Sequence, residues 1–236
     1  MFRFSVIVLL SIVSSACATN VPMNEKQLAD ITANNMAAIF MTYSGDQNCS
    51  PASIIIINTS MKTAHSIRTG GKSVGMTVVA PGEYSLLSGS CGMLSSGGVS
   101  ASFTDLYYWF EPVTVNKGEV LYLGHMNWDV ITKKTTFSGS AIANVLNKPF
   151  GTKVKSNFFF YTIEGVSHRD QVDEYLQKHH PELLTSLTTR TPKRRIDREN
   201  YENMINESFA KNSDGSYPTT QEANQKLKEA LKLGLR

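Results

Sequence analysis

Apolar and polar positions follow three different rhythms along this chain. Val6-Ile-Val-Leu-Leu-Ser-Ile-Val13 is a continuous apolar stretch behind Arg3, too short to cross a bilayer stably, and Ser14-Ser-Ala16 is a small-residue exit before Cys17. That is the pattern of a secretory leader. No later run approaches the eighteen or so apolar residues of a membrane-spanning helix. From Asn24 to Phe40, Leu28, Ile31, Met36 and Ile39 recur at roughly helical spacing, with Asn24 as N-cap and Glu25 in the first turn, which predicts a helix. Ser44-Gly-Asp-Gln-Asn-Cys-Ser-Pro51 breaks it with turn formers.

From Ser53 to Gly165 the period is that of strands. Ile54-Ile-Ile-Ile57, Val74 to Ala80, Glu83 to Leu87, the aromatic Leu106 to Pro112, Val120 to Met126 and Val154 to Ile163 are predicted strands, with Pro81-Gly82 and Asn116-Lys-Gly118 at turns. Strand after strand without a long helical pattern between them predicts an antiparallel β-sandwich. The last seventy or so residues return to helical signals. Ser167 precedes a run ending at Pro181, Pro181 opens a second short helix, and Tyr201 to Ala210 reads as another. Thr219-Thr-Gln-Glu222 is a capping box before Ala223, Leu227, Ala230 and Leu231. The expected class is mainly β with helical ends (α+β). Its expected parts are a leader and lipobox region at 1–18, a tether and helix at 19–48, a sandwich at 49–165 and a helical extension at 166–236.

Composition narrows the function classes. With 41% hydrophobic residues the 236-residue chain can build a core, and with only 18% charged residues and a net charge of +3 it lacks the concentrated basic surface that nucleic-acid binding needs. Two of the three cysteines, Cys49 and Cys91, survive any processing at Cys17. In an oxidising compartment this even pair predicts a disulfide, against the alternative of two separate thiols. No metal site is expected, because neither has a Cys or His within two to four residues.

Ser14-Ser15-Ala16-Cys17 resembles the lipobox of bacterial lipoproteins, although Ser14 stands where Leu is usual. The resemblance implies a diacylglyceryl group on the Cys17 thiol, cleavage before Cys17 and acylation of its amine. Ala18 rather than Asp after it implies transport to the outer membrane. The rival reading is ordinary cleavage at Ala16-Cys17-Ala18, an A-x-A site that discards the cysteine and releases a periplasmic or secreted protein. Val78-Val-Ala-Pro-Gly-Glu-Tyr-Ser-Leu86, Cys91 and Val115-Asn-Lys-Gly-Glu-Val-Leu-Tyr-Leu-Gly124 resemble segments of uncharacterised bacterial lipoproteins with a transthyretin-like or carboxypeptidase-regulatory-like β-sandwich. That likeness covers about a third of the chain, Ser53 to Asp129. It implies extracytoplasmic placement and brings no catalytic residues.

The sequence also contains catalytic look-alikes. Gly71-Lys-Ser-Val-Gly75 fits G-x-S-x-G, but Ser73 follows glycines and precedes a strand, the reverse of a nucleophile elbow. Gly71-Lys72-Ser73 likewise lacks the first glycine and the helix of a phosphate loop. His179 and His180 are expected on the surface at a helix end, and His125 as a satisfied structural histidine. Arg190 to Arg198 reads as a solvated basic linker, with anionic lipid or another acidic polymer as the functional alternative. Tyr107-Tyr-Trp-Phe110 reads as packing, with sugar stacking or a protein interface as its alternative.

The reading is a lipid-anchored, non-catalytic binding or structural protein of the cell envelope, without cofactor or metal. Its expected partners are the membrane, through lipid on Cys17, and an envelope protein or glycan. The alternatives are a secreted envelope hydrolase using Ser73 or a dispersed acid–base pair, and a carbohydrate-binding module using Trp109 or Trp128.

Overall fold

The cap at Asn24 forms as its sequence predicts. The Asn24 side chain accepts from the Gln27 N–H at 2.9 Å, and the Gln27 side chain accepts from the Asn24 N–H at 3.0 Å, opening helix α1 (Glu25–Thr32). In the computed structural model, which describes residues 23–44, 49–69, 74–93, 100–136 and 153–234, the helix ends well before the expected Phe40. Asn34 takes a left-handed conformation (φ 58°), and from Ala37 the chain is strand β1 (Ala37–Ser44). The reason is burial. Consecutive apolar residues suit a strand covered on both faces better than one stripe of a helix.

Among the described residues ten strands join one sheet. After β1 come β2 (Cys49–Asn58), β3 (Ala64–Thr69), β4 (Gly75–Val79), β5 (Gly82–Met93) and β6 (Ser100–Thr104). They are followed by β7 (Val113–Val115), β8 (Val120–Thr136), β9 (Lys153–Glu164) and β10 (Leu187–Thr189). The order is β10-β8-β1-β4-β3-β2-β5-β6, with β7 also on β5 and β9 also on β8. The mainly-β, α+β class stands, but the sheet is mixed and curled and does not form a clear antiparallel sandwich. β8 runs parallel to both β1 and β10, whereas the other pairs are antiparallel.

Chain length enforces the curl. β4 and β5 lie three places apart, about 14 Å on a flat sheet. Yet only Ala80 and Pro81 join Val79 to Gly82, a link of at most about 11 Å. At the other side, β7 on β5 and β8 on β1 are joined through Asn116 to Glu119. The Pro-Gly and Asn-Lys-Gly turns of the sequence are therefore corners of a curl, not hairpin tips. The sheet also draws β1 and β10 from beyond the expected borders at 49 and 165.

Two apolar clusters flank β1. Ala37, Ile39, Met41 and Tyr43 face a cluster containing Ile54, Trp109, Phe160, Tyr201 and Leu227. Ala38 and Phe40 face Ile31, Val172, Leu176 and Leu183 on the other side. Helix α2 (Arg169–His179) and the 3-10 turn Pro181–Ser186 pack with α1 on that second side. Helices α3 (Arg198–Ser208) and α4 (Thr220–Leu233) supply residues to the first. The Thr219–Glu222 capping box opens α4 as predicted. Ser167 does not cap α2, because His168 occupies the N-cap with φ 59° and makes no side-chain cap bond.

Candidate functional site

The most concentrated buried polar chemistry among the described residues lies where β8 changes partners. Its residues 120–122 pair with β10, while His125 onward pair with β9. On the β1 side the register runs from Phe40 opposite Tyr122 to Thr42 opposite His125, so β8 holds one residue more than β1 across this step. Such a bulge re-aims the side chains beyond it. Tyr122 and His125 therefore share a face, which strict alternation would have denied them. Gly124 sits at the bulge with φ 116°. Arg169, the first residue of α2, donates to Thr189 Oγ1 at 2.9 Å and to the Leu187 carbonyl at 3.2 Å, fixing the β9–α2 turn against β10.

Three side chains and a carbonyl then form a chain of hydrogen bonds. Thr42 Oγ1 lies 2.6 Å from the Tyr122 hydroxyl and 2.9 Å from His125 Nδ1, and the Tyr122 hydroxyl donates to the Ser167 carbonyl at 2.7 Å. Counting protons sets its direction. The single Tyr122 proton is committed to Ser167, so Thr42 must donate to Tyr122 oxygen. The Thr42 proton is thereby used, and His125 Nδ1–H must donate to Thr42. His125 is held as the Nδ1–H tautomer, with the lone pair on Nε2.

Burial reinforces that neutral state. Thr42, Tyr122 and His125 are 1%, 0% and 4% exposed. Desolvation, helped by His168, lowers the His125 pKa to about 4, with Glu164 acting in the opposite sense. Desolvation also raises the Tyr122 pKa to about 12. The exposed His168 ring lies against His125 at 3.9 Å between centroids, tilted by 39°, and its Nδ1 accepts from the Gln171 side chain at 3.1 Å. Thr42 beside His125 looks like a nucleophile and its base, but the proton runs from histidine to threonine. The hydroxyl is not activated, and the chain ends on a backbone carbonyl. What the arrangement does well is bind β1, β8 and the β9–α2 turn to one another.

The sequence-selected residues fare differently. Cys17 and Ser73 lie outside the described residues. Cys49 and Cys91 fall on neighbouring strands, Cys49 opposite Met93 and Cys91 opposite Ala52, one diagonal step apart across a register shift in β2. The aromatic segment is not the expected strand. Leu106–Tyr108 is a 3-10 turn, and Trp109, 3% exposed, sits with its ring centroid 4.5 Å from that of Tyr201 and 5.3 Å from that of Tyr161. Trp128 is 8% exposed and lies edge-on to Tyr43 at 4.8 Å. Both indoles are core, so neither offers a face to a sugar in this structure. His180 is buried as well, contrary to its expected surface place, because its Nε2 accepts the Met23 N–H at 3.0 Å.

Sequence reading missed Thr42, Tyr122 and His168. Only a glycine inside the apolar run at Leu123-Gly124-His125 signalled a bulge.

No protein family and no curated protein matches the chain. Among solved structures, a leucine-rich repeat protein from Bacteroides thetaiotaomicron aligns with TM-score 0.26 and 12% identity, over 39% of this chain and 13% of that one. At that score the likeness carries no argument. Among the described residues no group of three or more His, Cys, Asp or Glu could hold a metal ion, and no helix is long and apolar enough to cross a membrane.

Proposed function

We propose that the protein is an exported, lipid-anchored module of the bacterial cell envelope, tethered at the outer membrane through Cys17 and acting by binding or support rather than catalysis. The observation that carries this reading is the leader itself, an apolar Val6–Val13 core that exits through Ser14-Ser15-Ala16 onto a cysteine. The fold fits a short tether. Six residue steps from Cys17 to Met23 reach at most about 21 Å, and the Met23 N–H is already engaged by buried His180. The Thr42–His125 pair supports a passive role, since the histidine donates to the threonine and does not activate its hydroxyl. The resemblance to transthyretin-like lipoproteins belongs to the same reading; its two motifs form the corner before β5 and the turn before β8.

Mass spectrometry of the mature N-terminus, after expression in a double-membraned bacterium, tests it. The expected product begins at Cys17 with a diacylglyceryl thioether and an N-acyl group, and Cys17→Ser loses both. An unmodified N-terminus at Thr19, or an intact Met1 in the cytosol, would overturn the tether.

Export also supports a Cys49–Cys91 bridge. Diagonal neighbours on adjacent strands stand roughly 7–8 Å apart at Cα, just beyond the usual span of a disulfide of about 4.4–6.8 Å. The irregular stretch of β2 between Cys49 and Ala52 is where the strands can close that gap. A non-reducing peptide map is expected to show the two peptides linked. Two alkylatable thiols in the exported protein would remove the bridge.

A further inference from the structure

The segment from Arg190 to Arg198 reads as a solvated linker in sequence, but the structure pins it. The Glu111 N–H donates to the Lys193 carbonyl at 2.7 Å, the Arg195 N–H donates to the Trp109 carbonyl at 2.8 Å, and Phe110 and Arg194 form a β-bridge between those contacts. Pro192 and Ile196 are buried on either side. The Arg194 guanidinium lies 5.2 Å from the centroid of the buried Phe160 ring. The backbone and one of its cations are therefore preorganised.

Charge is concentrated on this strip. It carries five basic residues against Asp197, a surplus of four, more than the +3 of the whole chain, so the remainder is slightly acidic. Two of the five are neutralised: Arg190 pairs with Glu119 at 2.9 Å, and Arg198 with Asp129 at 3.1 Å and Glu202 at 3.2 Å. Lys193, Arg194 and Arg195 are exposed and form no ion pair with a described carboxylate. Three adjacent cations without a described carboxylate partner thus stand exposed on a fixed strand beside neutralised neighbours.

We infer that Lys193, Arg194 and Arg195 dock the protein against anionic phospholipid headgroups, fixing the orientation of its body on the bilayer. This rests on the lipid-tether reading above, which keeps the body within a few tens of ångströms of a charged surface. Three free cations are too few for nucleic acid, where binding typically engages six to ten phosphates. They suit a membrane that already holds the protein, because each Lys or Arg near an anionic leaflet is worth roughly a fivefold preference.

The lipidated full chain reconstituted into vesicles tests the inference, comparing phosphatidylcholine alone with phosphatidylcholine containing about one third phosphatidylglycerol. Tryptic cleavage after Arg194 is read against cleavage after Lys232. Protection at Arg194 of at least about fivefold is expected on the anionic vesicles only, abolished by high salt and by Lys193→Gln with Arg195→Gln. Equal cleavage on both vesicles, or protection that survives the double substitution, would overturn the docking surface while leaving the tether intact. A mature N-terminus without lipid would instead remove the tether. The docking surface, which needs a membrane that already holds the protein, would then fall with it.

Discussion

Gly124→Ala is expected to lower stability by about 2–6 kcal/mol, read as a fall in the urea midpoint with little change in slope. Gly124 has φ 116°, a region alanine rarely adopts. A Cβ there would lie 2.7 Å from Ile163 Cγ2, 2.8 Å from the Glu164 carbonyl oxygen and 2.8 Å from Thr191 Cγ2. The carbonyl belongs to β9, whose Glu164 is paired with His125 and cannot retreat without opening the ladder. Backbone strain of about 1–3 kcal/mol therefore adds to overpacking of similar size. Gly215→Ala is the internal control. Gly215 also has positive φ, 81°, but an added Cβ would meet nothing within 4 Å, so only strain is felt. Equal losses for the two variants would show that the bulge is not clamped between β9 and Thr191.

What the sequence disclosed and what it concealed divide along a physical line. Short-range chemistry was legible: the caps at Asn24 and Thr219 depend on residues three positions apart, and Ile54–Ile57 are strand whatever their partner. Pairing was not. That β1 lies between β8 and β4 depends on contacts some eighty and forty residues away, and nothing in Ala37–Ser44 names them. The antiparallel expectation failed for this reason at β1–β8–β10, where local pattern carries no strand direction. Leu106–Phe110 misled differently. Its aromatics have high β propensity, but burial against Phe160, Tyr161 and Tyr201 from distant elements lets them pack from a 3-10 turn.

The polar seam was concealed twice over, because its members come from positions 42, 122, 125 and 167, and because sharing a face required the bulge. Cys17 is the opposite case: the lipidation proposed for it rests on its immediate neighbours in sequence and on no fold.

Thr42→Val tests whether the seam is wired as the proton count requires. The replacement keeps the volume but removes the hydroxyl that links His125 to Tyr122, leaving the His125 Nδ1–H without that acceptor and the Tyr122 oxygen without that donor. A loss of about 2–3 kcal/mol is expected, since Thr42 is 1% exposed and water cannot readily substitute. Adding Tyr122→Phe should cost less than the sum of the single changes, because the two hydroxyls act as one unit. Nitrogen-15 NMR of the unaltered protein should show His125 protonated at Nδ1 and bare at Nε2 near neutral pH; the reverse tautomer would refute the wiring. The same histidine sets a pH dependence whose sign is fixed. Its folded pKa of about 4 lies below the ordinary 6.5, so between those values the unfolded chain binds the extra proton. Its contribution is full above about pH 6.5 and is lost as the pH falls toward 4, by at most about 3 kcal/mol. His125→Gln, which cannot take up that proton, should flatten the stability profile across this window, and an unchanged slope would show that His125 is not the group held neutral.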